Sequence, residues 1–196
     1  MLIQVVHSHP LRDSYNHALF RTIVETLGHR HEVIATDLDR ESFSPVMTEA
    51  ERRSYFEPRY AEAEEVAPLI ADLRRIDGIV FCFPHWWFSM PAMLKGYFDR
   101  VWAPGTAFTH DLEGGQIKPL LTNIRLFGVV TTYGSPWWLT RLVMQDPGRK
   151  VLFRALKPMC GRGVRSFYLA HYDMDRSTAA SRKAFEDRVR ARLSRL

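Results

Sequence analysis

At 196 residues, with 46% hydrophobic and 25% charged side chains, the chain is long enough to bury one sizeable core and too apolar to be disordered. The formal charge of +5 raises the question of a nucleic-acid partner, but the basic residues are spread out and thickest in the stretch from Arg176 to Arg195, where a solvated helix face explains them and no reading motif accompanies them. Met1–His7 carries no charged leader region, and no apolar run approaches the roughly 20 residues of a membrane helix, so an unexported cytoplasmic protein without membrane insertion is expected.

Strand-like and helix-like segments alternate. Leu2–His7 is an apolar strand, and Ser14–Leu27 sets Ala18, Leu19, Ile23, Val24 and Leu27 on one helical stripe that Gly28 can stop. His31–Leu38 reads as a second strand. Residues 40–60 are polar, with Pro45 and Pro58, and read as a long excursion before a helix over about 61–75. Gly78–Phe83 is a continuous apolar run, the pattern of a central strand covered on both faces. Pro91–Trp102 is a helix with Pro91 in its first turn, and Asn123–Thr132 is the fourth strand. A helix within 138–157, a strand at 163–170 and a basic amphipathic helix at 177–195 complete five βα units. This pattern predicts a single α/β domain over residues 1–196, with an open parallel sheet between two helical layers.

Cys82 and Cys160 have no spacing that suggests a metal site or a disulfide, so free thiols in a reducing compartment and no metal are expected.

Ligands of such sheets bind beyond the carboxyl ends of the strands, near the point where the strand order reverses. Three loops lie at those ends. The first, His7–Asn16, offers helix N-terminal N–H groups, the Ser14 hydroxyl, the Asn16 amide and a cation at His9 or Arg12, the makings of an anion site; Asp13 or Ser14 acting only as a helix cap gives the same pattern. The second, Pro84–Pro91, sets Trp86, Trp87 and Phe88 in a row. Consecutive residues cannot all face one core, so one or two should be free to cover a planar ligand or a partner, unless they form a satellite cluster under the next helix. The third, Thr131–Trp138, combines hydroxylated side chains, Gly134 and aromatics.

The run Phe81–Trp102 resembles the Pro-x-x-Trp-Phe-x-x-Pro-Ala-x-Leu-Lys-Gly signature of the flavin NAD(P)H:quinone oxidoreductases, a family that includes the mammalian quinone reductases and shorter bacterial relatives. His9-Pro10 with Ser14-Tyr15-Asn16, and Thr131-Thr132-x-Gly134-Ser135, are similar to two more of its flavin loops. The resemblance implies a flavodoxin-like, doubly wound five-stranded sheet. It also implies a homodimer that moves hydride from NAD(P)H through FMN, or alternatively FAD, to quinone-like acceptors in ping-pong fashion. From it, His9, Ser14, Tyr15 and Asn16 would hold the phosphate and ribityl region. Pro84, His85, Trp86, Trp87 and Phe88 would contact the ring and ribityl chain. Thr131, Thr132, Tyr133 and Gly134 would border the ring edge that gains negative charge.

The mammalian tyrosine and histidine relay aligns with Leu139 and Gln145 and is absent here. Tyr133, Trp138 and His110 are therefore the candidate catalytic side chains, His110 standing where the family has a tyrosine beside the acceptor. The 106–110 segment and the Trp86–Phe88 loop are expected near a neighbouring subunit's site. A non-catalytic flavoprotein, as electron carrier or regulatory subunit of a transporter, is the alternative.

Overall fold

The computed structural model describes residues 1–40, 43–57, 60, 63–109 and 116–196. Five strands, β1 (Leu2–His7), β2 (Glu32–Asp37), β3 (Gly78–His85), β4 (Leu126–Tyr133) and β5 (Arg165–His171), pair in parallel in the order β2-β1-β3-β4-β5. The chain steps outward from β1 to β2 and then returns across β1 to β3, so the order reverses between β1 and β3 and opens a crevice there.

Period-two alternation divides the core. Ile79, Phe81 and Phe83 of β3 face one way, against Leu69, Ile70 and Leu73 of α3 (Ala67–Arg75) and Leu94, Tyr97 and Phe98 of α4 (Ala92–Val101). Val80 and Cys82 face the other way, against Leu19 and Ile23 of α1 (Tyr15–Gly28) and Phe185 and Val189 of α6 (Ala179–Leu193). Every residue of β3 is buried, as its unbroken apolar run predicts.

The described residues of the excursion before α3 hold more regular structure than their composition suggests. It contains α2 (Glu49–Ser54), started by a capping box in which Thr48 and Glu51 satisfy each other's backbone N–H groups. Arg100 of α4, only 3% exposed, then fastens the excursion down. Its guanidinium binds Glu51, Glu65 (2.8 Å) and the carbonyl of Ser44.

Three further boundaries differ from expectation. β4 begins at Leu126, and Asn123 before it gives its side-chain amide to the carbonyls of Leu73 and Ile76. β3 runs on through Pro84 and His85, which pair with Thr132 and Tyr133. The single helix expected within 138–157 is broken: Gln145 and Asp146 adopt left-handed backbone (φ 56° and 51°), and a short α5 (Pro147–Lys150) restarts at Pro147 between two π-helical turns, Leu139–Val143 and Val151–Leu156. Among the described residues no helix is long and apolar enough to cross a membrane.

Candidate functional site

A cleft of about 440 Å³ opens at the β1/β3 reversal, within the size range of small-molecule sites. The first loop contributes His9, Ser14, Tyr15 and Asn16 to its walls, the second Pro84, His85, Trp86 and Trp87, and the third Thr132 and Gly134. Met174 and Asp175, from the turn between β5 and α6, complete it.

In the first loop Ser14 caps α1: its Oγ accepts from the N–H of His17 (3.1 Å) and donates to the carbonyl of Leu11 (2.8 Å). His9 accepts the N–H of Leu11 at Nδ1, which leaves Nε2 for another partner. The Tyr15 hydroxyl is tied to the carbonyl of Arg182 (2.7 Å), and burial pushes its pKa up. Asn16, 4% exposed and lining the cleft, has a buried Nδ2 with no protein partner. Buried amide groups are nearly always satisfied, so an orphan donor at a helix N-terminus in a cleft is poised to donate to an anionic oxygen.

The second loop turns sharply. Trp86 and Ser89 exchange both backbone hydrogen bonds (3.0 Å each) around Trp87 and Phe88, whose φ angles of 52° and 57° are those of a type I′ turn. Glycine and asparagine suit such positions; bulky aromatics there carry backbone strain of roughly 1 kcal/mol or more apiece. The turn holds Trp87 out at the rim with 96% of its surface exposed. Phe88 is half-buried and does not line the cleft.

The pleat of β4 separates the third loop's residues. Thr132 and Gly134 reach the cleft, whereas Thr131 and Tyr133 turn to the opposite face and are buried there. They form a cluster around His85. Thr131 donates its hydroxyl proton to the carbonyl of Phe83 (2.6 Å), so its oxygen accepts from His85 Nδ1 (2.8 Å), which fixes the tautomer. Burial pushes the His85 pKa down to about 3, which keeps the ring neutral and leaves Nε2 as an acceptor. The Tyr133 hydroxyl lies 3.0 Å from that Nε2, 2.8 Å from Asp146 Oδ1 and 2.6 Å from the Tyr168 hydroxyl. With one proton among three neighbours, the Tyr133 hydroxyl donates to the imidazole, to the carboxylate or to Tyr168, whose own hydroxyl can donate in return, and never to the imidazole and the carboxylate together. Its ring stacks between His85 (centroids 4.0 Å apart) and Tyr172 (5.1 Å).

Two candidate catalytic residues therefore sit elsewhere than at the cleft wall. Tyr133 lies behind His85 because strand alternation points it away. Trp138 is half exposed at the start of a π-helical turn and does not line the cleft. His110 lies outside the described residues. Thr106 and Ala107, expected near a neighbouring subunit's site, are buried within their own chain. The residues that pattern reasoning missed are Asp146, Tyr168, Met174 and Asp175. Gly134 carried a faint signal for the last, since a Cβ there would stand 3.0 Å from the Asp175 carboxylate.

Residues 1–193 match the family described as flavodoxin-like fold. Over 119 residues the chain is 38% identical to an uncharacterized NAD(P)H oxidoreductase of Escherichia coli K12; the match covers 59% of this chain and 61% of that protein, less than two-thirds of its length. In three dimensions it is similar to an NAD(P)H:quinone oxidoreductase from Methanothermobacter marburgensis (TM-score 0.84, 24% identity, 99% of this chain and 98% of the other). It is also similar to an FMN-dependent NADH-azoreductase from Bacillus anthracis solved with FMN (TM-score 0.75, 15% identity, 99% and 98%). At these identities the structural likeness establishes the fold.

Proposed function

The chain belongs to the family of the flavodoxin-like fold, and from that premise we propose that it is a flavin-dependent oxidoreductase taking hydride from NAD(P)H and delivering it to quinone-like acceptors. The observation that carries this reading is the unpartnered Asn16 amide in a cleft at the β1/β3 reversal. The names of the relatives and neighbours support it.

Bound there, FMN would supply the hydride-accepting and hydride-donating chemistry. The first-turn N–H groups of α1, the Asn16 amide and His9 Nε2 suit its phosphate, and Thr132, Gly134 and His85 suit its ring. Trp87 at the rim suits a planar acceptor or co-substrate. FMN fits better than FAD because the residues of the cleft wall that await a partner serve one phosphate.

His85 is the group of the buried cluster that reaches the cleft, and Tyr133 is a positioning residue behind it. Moving the Tyr133 proton from Asp146 to His85 changes the hydrogen bonding of the ring without ionising it. Reorienting one O–H in this way would answer developing charge with less reorganisation than bulk water needs.

A homodimer completes the proposal. Trp137, Trp138, Leu142, Val143, Met144 and Val151 are all exposed within one short stretch, more apolar surface than a single small domain leaves in water.

The test is purification followed by mass spectrometry of the released flavin and assay of NAD(P)H oxidation with a soluble quinone. A yellow protein with one FMN per chain and ping-pong turnover is expected. A colourless protein that binds neither FMN nor FAD at micromolar concentration overturns the flavin reading, and a flavoprotein without turnover is the carrier or regulatory protein instead.

A further inference from the structure

His7 closes β1, Asp37 closes β2, and His17 lies in the first turn of α1. His7 and Asp37 are register partners, so the sheet itself holds them side by side. One ligating atom from each of the three lies within 4.8 Å of the others. His7 Nδ1 is 3.2 Å from Asp37 Oδ1, and His17 Nδ1 is 3.9 Å from Asp37 Oδ2. The second distance is too long for a hydrogen bond, and His17 Nδ1 is buried with no other partner. An imidazole nitrogen and a carboxylate oxygen thus face each other across an unbridged gap, and the His17 nitrogen is a buried polar atom without a hydrogen-bond partner, which calls for an explanation.

A cation between them resolves it. Donor atoms about 2.0–2.2 Å from a tetrahedral zinc ion stand roughly 3.3–3.6 Å from one another, and the separations of 3.2 and 3.9 Å, taken to the two oxygens of the one carboxylate, lie close to that spacing. The donor set is two nitrogens and one oxygen, which suits zinc and its neighbours in the first transition row and disfavours magnesium and calcium. The frame is stiff where a ligand must be fixed: His7 is fully buried and stacked on Phe20, with centroids 4.7 Å apart. It is open where an ion must enter, since the His17 and Asp37 side chains keep 19% and 14% of their surface in solvent.

We propose that His7, His17 and Asp37 form a site for a divalent transition-metal ion of the zinc class, with water in the fourth position. The three ligands come from two strand ends and a helix, so no short motif betrays them. The site flanks the first loop of the cleft: Ser8 and His9 follow His7, and Asn16 precedes His17. A bound ion therefore ties the ends of β1 and β2 to the start of α1. The site needs no flavin, so it stands or falls separately from the oxidoreductase reading.

The full-length protein, stripped with chelator and dialysed, is titrated with zinc chloride alone by calorimetry, and zinc retained after gel filtration is counted by elemental analysis. One zinc per chain with a micromolar or tighter Kd is expected. His17→Gln and Asp37→Asn should each weaken binding at least about ten-fold, while His29→Gln, exposed at the other end of α1, leaves it unaltered. His17→Gln gives up ring contacts with His7 and Phe20 (centroids 5.3 and 5.8 Å apart), so its zinc-free melting temperature is compared with that of His29→Gln, and a variant that stays folded without zinc yet binds it weakly has lost ligation rather than folding. Zinc retained far below one per chain, or an affinity unaltered by His17→Gln, overturns the site.

Discussion

Gly148 approaches His85 so closely that a Cβ on it would stand 2.3 Å from the imidazole Nε2 and 3.0 Å from the carbonyl of Phe88. The start of α5 is therefore the wall that keeps His85 within reach of Tyr133. Gly148→Ala should cost roughly 1–3 kcal/mol of stability through overpacking and break the His85–Tyr133 hydrogen bond. Tyr133→Phe should leave flavin content near wild type while shifting the flavin reduction potential and slowing turnover several-fold. Equal potentials and rates in Tyr133→Phe and wild type would show that the cluster only packs.

Ser14 and Asn16 should separate stability from binding. Ser14→Ala removes the cap of α1 and should cost about 1 kcal/mol in the flavin-free protein. Asn16→Ala deletes a donor with no protein partner and an Oδ1 that accepts only a weak bond from the Cys82 thiol (3.8 Å), so the flavin-free protein should melt near wild type while FMN affinity falls about ten-fold, as for a lost hydrogen bond of roughly 1.4 kcal/mol. Fluorescence titration of FMN into both variants decides it; an unchanged Kd in Asn16→Ala would return this loop to a purely structural role.

Trp87→Gly should not destabilise the flavin-free protein, although it deletes an entire indole. The strain relieved at φ 52° is of the same order as the extra unfolded-state freedom that glycine introduces. Acceptor KM should rise. A large fall in melting temperature would mean that the indole is packed in solution rather than exposed.

Breaking the Arg100 contacts should be the costliest surface-near change. Arg100→Ala leaves Glu51 without its buried partner and should cost on the order of 3–5 kcal/mol, read from urea melts. Acid should weaken the same joint. Despite burial, which acts the other way, hydrogen bonds from Thr48 and Arg100 hold the Glu51 carboxyl below its ordinary value. This stability is present above the unfolded-state value of about 4.3 and lost as the pH falls through the lower folded-state value.

His85 makes a second pH-dependent contribution at higher pH. Its pKa is depressed by burial to about 3, so between there and the unfolded-state value of about 6.5 the unfolded chain holds a proton that the folded one does not. Stability should therefore fall with acidity from about pH 6.5 downward, accompanied by proton uptake on unfolding in calorimetry at two buffer ionisation heats. Unfolding at pH 5.5 without proton uptake would contradict a neutral buried ring.

What was legible in the sequence was what depends on period and on loops close to a motif. The unbroken Gly78–Phe83 run marked the central strand, and the residues at the ends of β1, β3 and β4 marked most of the cleft wall. Side-chain direction at a strand end was not legible in the same way. Thr132 and Tyr133 are neighbours in sequence, yet one faces the cleft and the other the core, and the assignment depends on where β4 begins. Asp146 was hidden because it reaches Tyr133 only through a left-handed break in a helical stretch. The Thr48–Glu51 capping box was readable, and the surrounding prolines and polar residues masked it.

The strand order also governs how the molecule is assembled on the ribosome. β1 and β2 emerge first and can pair at once, but the other edge of β1 must wait for β3, some seventy residues later, before Ile3 meets Gly78 and His7 meets Cys82. Until then Val5 and Val6, fully buried in the finished sheet, border an unpaired strand edge. With all pairings of the sheet parallel and none closed by a hairpin, the nascent chain is expected to expose that edge until β3 emerges. Synthesis at high level should therefore depend on holding chaperones until Gly78–His85 has left the exit tunnel.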